Sequence, residues 1–333
     1  MIRANRQDVA ALAGVSTAVV SYVVNGGPRP VAEATRERVL KAMDQLNYRP
    51  NASARALKLS KTYVLGLMMW DITNPYYSEF ARIFQDLAYQ AGYATMVANT
   101  GQDGAKETPE LESLLAREVD GIATYGIRKE ETLKLLASSG VRTVSMNWHL
   151  GEQETPTVAT DYYGATMMAI DHLRWHGHTR IGFIGGFDDP TQRESTWRAA
   201  LEATFGEDLD QFAEWGEFSS EGGYHAAMRL LARPDHPTAV FVSSDVQAIG
   251  ALRAAQVLGL NVPSDIAMVA FDGTTASAFT APPLTSVQVP FEVTARQCLR
   301  KLTDPAGTFE RHTTIPHRLV LRESCGCHSS EAG

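Results

Sequence analysis

Residues 9–27 read VAALAGVSTAVVSYVVNGG, almost free of charge and rich in Ala, Val, Ser and Gly. A secretory signal would need an unbroken apolar run behind a positive flank. Here Gly14, Ser16, Thr17 and Ser21 interrupt the run, Asp8 precedes it, and no small-x-small cleavage site closes it. No other segment approaches 18 consecutive apolar residues, so no membrane span is expected and the chain is expected to be cytoplasmic. The caps give a different reading. Asn5 is a good N-cap with Asp8 three residues on, so a first helix is predicted from about Arg6 to Ala13. Gly14 supplies the left-handed position that ends it. Ser16 caps a second helix running to about Val24, and Asn25-Gly26 stops it. Two helices joined by a short Gly-containing turn make a helix-turn-helix.

On a helical wheel Val19, Val20, Val23 and Val24 of the second helix share one aliphatic face, while Thr17, Ala18, Ser21, Tyr22 and Asn25 occupy the other. The aliphatic face should pack on helix one. The opposite face is uncharged and of low profile, shaped to enter a DNA major groove with Thr17, Ala18 and Tyr22 at base edges. An amphipathic hairpin on the surface of some larger domain would show the same wheel. A third helix follows, Glu33 to Leu46, with Val39, Ala42, Met43 and Leu46 as its inner stripe. Pro50 then breaks the chain, and Asn51 caps a further short helix carrying Arg55, Lys58, Lys61 and an exposed Leu57. Residues 1–62 hold ten Lys and Arg against four acids, a net of +6, whereas the whole chain is −8, so residues 63–333 carry −14. A basic head on an acidic body fits a DNA-binding module joined to something else.

The stretch DVAALAGVSTAVVSYVVNG, followed by TRERVLKAMDQLNYRPNASARALK, resembles the DNA-binding headpiece and hinge of the lactose-repressor (LacI) family. The resemblance implies that Thr17, Ala18 and Tyr22 read bases and that Ser16, Ser21 and Asn25 contact phosphates. It also implies that Ala54, Leu57 and Lys58 belong to a hinge helix entering the minor groove, where paired Leu side chains wedge between base steps and kink the duplex. Two departures stand out. Tyr22 takes a position usually held by Arg, which reads guanine bidentately, and Val19 replaces a more usual Thr.

At 333 residues the chain can hold more than one domain. Beyond Thr62, apolar strands starting near Val64, Tyr93, Gly121, Arg142, Arg180, Ala239 and Asp265 alternate with helical stretches. These include Pro75 to Gln90, Tyr163 to His176, Thr191 to Thr204, Gly222 to Ala232 and Val246 to Leu258. That alternation predicts doubly wound parallel α/β sheets. The expected fold class is therefore an N-terminal all-α helix-turn-helix headpiece plus an α/β core with doubly wound parallel sheets. The expected division is a headpiece over 1–50, a hinge over 51–62 and a core over 63–333.

Several strands end in polar residues, and ligands in open α/β sheets bind beyond the carboxyl ends of the strands. DITNPYY (71–77), RESTW (193–197), SSDVQAIG (243–250), VAFDG (269–273), PPLTSVQVPF (282–291) and LVLRESC (319–325) resemble the two-lobed, periplasmic-binding-protein-like core of the same family. The resemblance implies lobe crossovers near 161, 290 and 318. It further implies that Asn147, Arg193, Ser244 and Asp272 are the polar contacts of an effector, and that Trp70, Tyr76, Phe218 and Phe291 are its apolar walls. The chemistry suits a sugar: carboxylate and amide share hydroxyl hydrogen bonds, guanidinium donates a fork, and rings stack on C–H faces. Asp272 and Arg193 could instead be structural partners, and Trp70 and Phe218 ordinary core. Ser244 stands where Asn or Asp is commoner, and Val289 replaces a polar residue, so the identity of the sugar does not follow.

Other features are set aside. His172 and His176 are spaced i, i+4 in DHLRWHGH and could present two ligands, but no zincin pattern accompanies them and only His178 stands near. Cys325-Gly-Cys327 is too sparse for a zinc site, and three cysteines make no disulfide framework. RIGFIGG is not GxGxxG. No metal, no cofactor and no catalytic residue is expected. The expected partners are a pseudo-palindromic operator in double-stranded DNA, a small-molecule effector of carbohydrate type and a second copy of the chain, since helix-turn-helix readers bind dyad-related half-sites; no membrane is expected. The function read from the sequence is a ligand-controlled transcriptional repressor. A transporter's solute-binding protein would lack the headpiece, and a sugar-processing enzyme would need a catalytic acid/base pair.

Overall fold

The computed structural model describes residues 4–25, 30–49, 61–146, 155–187, 192–304 and 306–327. The chain forms two compact units, residues 1–62 and 63–333.

In the first unit α1 spans Arg6–Ala13, α2 Thr17–Asn25 and α3 Glu33–Gln45. The local signals act as expected. The Asn5 carboxamide accepts from Gln7 N at 2.7 Å, and the Asp8 carboxylate accepts from Asn5 N at 2.7 Å, closing a capping box. Gly14 adopts φ +65°, and Ser16 Oγ accepts from Val19 N at 3.3 Å. Val9, Ala10, Ala13, Val20, Val23, Val39 and Ala42 form the core, with Val24, Met43 and Leu46 packed against it. The aliphatic face of α2 is thus its buried face. The expected hinge helix, with Ala54, Leu57 and Lys58, lies outside the described residues.

The second unit contains two six-stranded sheets. Its elements are β1 Val64–Met69, α4 Pro75–Gln90, β2 Ala94–Asn99, α5 Glu107–Leu115, β3 Gly121–Thr124, α6 Glu130–Ser139, β4 Arg142–Ser145 and β5 Thr157–Thr160. They continue with α7 Tyr162–Trp175, β6 Ile181–Gly186, α8 Arg193–Phe205, β7 Ala213–Gly216, α9 Ser220–Leu231, β8 Ala239–Val242, α10 Asp245–Leu258 and β9 Ala267–Asp272. The last are β10 Thr285–Gln288, α11 Phe291–Thr303, β11 His312–Ile315 and β12 Arg318–Val320. The strand orders are β11-β5-β4-β3-β1-β2 and β12-β10-β9-β8-β6-β7. Every pairing is parallel except β10 with β12. The chain passes between the sheets after β5, after β10 and after β11, so each lobe is built from discontinuous segments.

Helices cover both faces of each sheet, which is why β3, β5, β6, β8 and β9 are buried along their whole length. In the second lobe Ala165, Ile170, Trp197 and Leu201 cover one face, and Ala226, Leu230, Ala251 and Ala255 the other. Helices α9 and α10 touch through glycines. A Cβ at Gly250 would fall 1.9 Å from Ser220 O, and one at Gly223 2.1 Å from Gln247 O.

Candidate functional site

Helix α2 turns Thr17 and Ala18 to solvent and leaves Ser21 and Tyr22 half-exposed, while Val20 is fully buried. Five of the residues expected at DNA, Ser16, Thr17, Ala18, Ser21 and Tyr22, therefore lie on a face that the headpiece core does not use. The Ser16 hydroxyl is shared with the helix cap. The Asn25 side chain lies outside the described residues.

The second site is the cleft where the two sheets of the larger unit face each other. In strand order each lobe reads 2-1-3-4-5, which places a switch point between its first and third strands. Trp70 follows β1, Tyr125 and Gly126 follow β3, Ser244 follows β8, and Asp272 ends β9; all line one cavity. Helix starts supply the rest. Asn74 caps α4 with Pro75 in its first turn and accepts from Tyr76 N at 3.0 Å. Asp161 caps α7 by accepting from Gly164 N at 3.0 Å, which sets Tyr162 at the cleft, and Arg193 opens α8. Ser244 caps α10, its Oγ accepting from Gln247 N at 3.3 Å and donating to Gln247 Oε1 at 3.0 Å.

The wall chemistry is aromatic with two opposite charges. The Arg193 guanidinium is buried and stands 5.1 Å from the Phe271 ring, 5.5 Å from Phe218 and 5.6 Å from Tyr162. It also donates to Ser243 O. Such a cation over three rings is held by their quadrupoles and offers a planar donor fork. Asp272 is buried at φ +119°, a backbone that non-glycine residues avoid. Strain of this kind collects at binding sites, where the surrounding structure holds it. Its Oδ2 accepts from Asp245 N at 3.2 Å. Trp70 Nε1 donates to Gly126 O at 2.8 Å, with Arg128 over its outer face at 4.4 Å. The Tyr76 and Tyr125 hydroxyls share a 2.9 Å hydrogen bond, and burial pushes both phenols well above their ordinary 10.0, so both stay neutral.

Of the eight residues expected at an effector, six meet here: Trp70, Tyr76, Arg193, Phe218, Ser244 and Asp272. Phe291 does not line the cavity. It packs behind Tyr76, ring centroids 5.2 Å apart, because the apolar face of α11 turns it into the first-lobe core. Asn147 lies outside the described residues. Asn74, Tyr77, Tyr125, Gly126, Tyr162 and Phe271 line the cavity without having been expected there. The signal for Tyr125 and Gly126 was their place after an apolar strand; that for Tyr162 was the capping Asp161 before it.

The cavity measures about 50 Å³, room for a few waters, so a larger molecule enters only if the walls part. Among the described residues, Gln102 with Phe218 and Glu79 with Thr275 tie the two sides of the cleft. Phe218 N donates to Gln102 Oε1 at 3.2 Å, with Gln102 Nε2 also 3.3 Å from Asp71 Oδ2. Thr275 donates to Glu79 through its N at 2.9 Å and its Oγ1 at 3.1 Å.

Comparison with known proteins finds matches for both units of the chain. Residues 6–51 match the profile of bacterial regulatory proteins of the lacI family, and residues 170–325 that of a periplasmic binding protein-like domain. Catabolite control protein A of Priestia megaterium is 35% identical over 325 residues, 95% of this chain and 98% of that protein. The ribose operon repressor of Escherichia coli K12 is 34% identical over 322 residues, 94% and 97% of the two chains. Among solved structures, a complex of the transcriptional regulator CelR with cellobiose superposes with a TM-score of 0.71 at 29% identity, covering 97% of this chain and 100% of that one. A Lac repressor dimer bound to operator and the anti-inducer ONPF superposes with a TM-score of 0.79 at 25% identity, covering 97% and 99%. With similarity of this degree running through headpiece and core alike, the chain belongs to the lacI family of bacterial regulatory proteins.

Proposed function

We propose that this protein is a transcriptional repressor that binds DNA as a homodimer and is controlled by a sugar or sugar derivative held between the two lobes. The observation that carries the reading is the cleft itself: a guanidinium and a carboxylate set among aromatic rings, in a chain that also presents an uncharged helix face shaped for a major groove. Thr17, Ala18 and Tyr22 read bases, Ser16, Ser21 and Asn25 meet phosphates, and Ala54, Leu57 and Lys58 enter the minor groove. Arg193, Asp272, Ser244 and Asn147 bind sugar hydroxyls, and Trp70, Tyr76 and Phe218 cover its C–H faces. Phe291 acts only through Tyr76. The Ser244 hydroxyl, already shared with Gln247, contributes less than Arg193 or Asp272. The role is binding without turnover. The effector changes DNA affinity by binding the open and closed lobe arrangements unequally.

Selection of duplexes from a random pool by the purified full-length chain tests this, with a panel of sugars added in parallel. The expected result is an enriched pseudo-palindrome bound with a steep salt dependence, and a sugar that changes that affinity. Comparing half-sites selected by the chain and by Tyr22→Arg shows which base pair Tyr22 reads, because Arg adds a preference for guanine there. The absence of any enriched site, with and without sugars, overturns the proposal.

A further inference from the structure

Two pairs of residues far apart in the sequence meet in the second lobe. His172 lies in the last turn of α7 and His176, four residues on, is its C-cap. Cys325 and Cys327 follow β12 and are buried, at 1% and 4% exposure. His172 Nε2 is 3.2 Å from Cys325 Sγ and 3.6 Å from Cys327 Sγ, and His176 Nε2 is 3.2 Å from Cys327 Sγ. All four donor atoms lie within 4.8 Å of one another. A tetrahedral ion with Zn–N of about 2.0–2.1 Å and Zn–S of about 2.3 Å requires N···S edges of roughly 3.6 Å. The three N···S contacts above lie at or slightly under that edge, and no pair of donors is more than 4.8 Å apart, so small side-chain shifts bring all four to one ion.

The surrounding chain holds the donors in place. Gly326 takes φ +97°, and a Cβ there would stand 3.5 Å from His176 Nδ1. Glycine therefore allows the tight turn that aims both sulfurs at one point. The segment before it is fastened to the sheet: Ser324 Oγ donates to Met268 O at 2.7 Å, and Arg322 N donates to Thr285 Oγ1 at 2.8 Å. Thr285 Oγ1, which donates to Arg322 O at 3.1 Å, also lies 3.0 Å from Cys325 Sγ. His178, the third histidine of the run, is engaged elsewhere, its Nδ1 3.1 Å from Thr238 Oγ1.

We propose that His172, His176, Cys325 and Cys327 form a tetrahedral Cys2His2 zinc site that fastens the C-terminal segment to α7. Sulfur and imidazole donors in this ratio select Zn²⁺ over the oxygen-seeking cations. Binding exchanges two thiol protons for the ion, leaving two thiolates, two neutral imidazoles and an electrically neutral centre. Four protein ligands leave no open position, so the site is structural and not catalytic. It lies toward the C-terminal end of α7, whose first residue, Tyr162, lines the cleft. The ion therefore anchors a helix that supports the effector site.

The test uses the full-length chain, stripped with a chelator under reducing conditions and titrated with Co²⁺. The expected result is tetrahedral cobalt absorption with a thiolate charge-transfer band, saturating at about one ion per chain and displaced by Zn²⁺. The protein as purified should hold about one zinc per chain, and its thermal midpoint should fall on stripping and recover with Zn²⁺. Cys325→Ser/Cys327→Ser should lose both bands, while His178→Ala keeps them. If the double variant fails to fold, His176→Asn with the wild-type titration decides. Wild-type protein that stays folded after stripping but shows no cobalt band overturns the proposal. So do bands that survive the double serine variant, and a Cys325–Cys327 disulfide in place of bound metal.

Discussion

Arg193 carries a charge where water is scarce, and its surroundings show how it is kept there. Its guanidinium lies over three rings and donates to the Ser243 carbonyl, so its position is set before any ligand arrives. Arg193→Lys keeps the charge but loses the planar fork, and Arg193→Ala loses both. Effector affinity, measured by calorimetry on the full-length chain, should fall by roughly tenfold for Lys and about a hundredfold for Ala, while operator affinity without effector is retained. A loss of folding in both would instead make Arg193 a structural partner of its lobe. Asp245 behaves differently. It accepts from Thr274 N at 2.6 Å, Thr274 Oγ1 at 2.8 Å and Ser286 Oγ at 2.6 Å, yet burial outweighs these donors and moves its pKa from 3.8 up to about 6. A carboxyl whose folded pKa lies above its unfolded one stabilises fully below the unfolded value and loses that contribution as pH rises through the folded value. The stability of wild type relative to Asp245→Asn should therefore fall by on the order of 3 kcal/mol from about pH 4 to about pH 6.5, then level off. Denaturant unfolding of both proteins across that range measures it; a flat difference excludes the account. Asp245 was not legible as special in SSDVQAIG, because burial of a carboxylate beside a helix cap depends on β10, which the sequence places 41 residues further on.

Elements were more legible than sites. The helix-turn-helix could be read because its signals are local: Asn5 caps, Gly14 turns left-handed and Ser16 caps again, each acting within four residues. The central parallel strands could be read because helices on both faces bury them whole. The resemblance implies Phe291 as a wall of the effector site, but a resemblance in sequence does not say which side of α11 faces the cleft, and here Phe291 packs into the first-lobe core. Glycines divide along the same line. Gly14 serves its own turn, where a Cβ meets nothing but the φ of +65° is unfavourable, so Gly14→Ala should cost about 1 kcal/mol. Gly250 serves the crossing of α9 and α10, where a Cβ would press into Ser220 O at 1.9 Å. Gly250→Ala should cost about 2–4 kcal/mol, because two backbones must separate in a packed layer. The two variants act in different units, so unfolding should be followed by a headpiece signal for Gly14 and by Trp197 fluorescence for Gly250. Equal small losses would mean that the α9–α10 contact relaxes freely.

For the whole molecule, local spacing does not show what the lobe crossings bring together; six of the cleft residues were expected through the family resemblance alone. The cleft draws on segments from residue 70 to residue 272, and the Cys2His2 cluster on two pairs about 150 residues apart, so neither has a spacing to recognise. The crossings also determine how the cleft moves. A cavity of about 50 Å³ admits no sugar until the lobes part, and parting breaks the Gln102–Phe218 and Glu79–Thr275 ties. Hydrogen bonds at a solvated edge are each worth about 0.5–1.5 kcal/mol, so removing the three that form these ties should lower the cost of opening by roughly 1.5–4.5 kcal/mol. Opening precedes entry, so the effector association rate of Glu79→Ala/Gln102→Ala should rise by about fivefold or more. If the same ties re-form over bound sugar, dissociation speeds up in proportion and the affinity hardly changes. If they form only in the empty cleft, affinity rises with the association rate, and the operator response shifts to lower effector concentration. Stopped-flow fluorescence of Trp70, whose ring lines the cavity, separates the two. An unchanged association rate would show that the ties do not hold the cleft shut, and that entry is limited instead by the aromatic walls closing around Arg193.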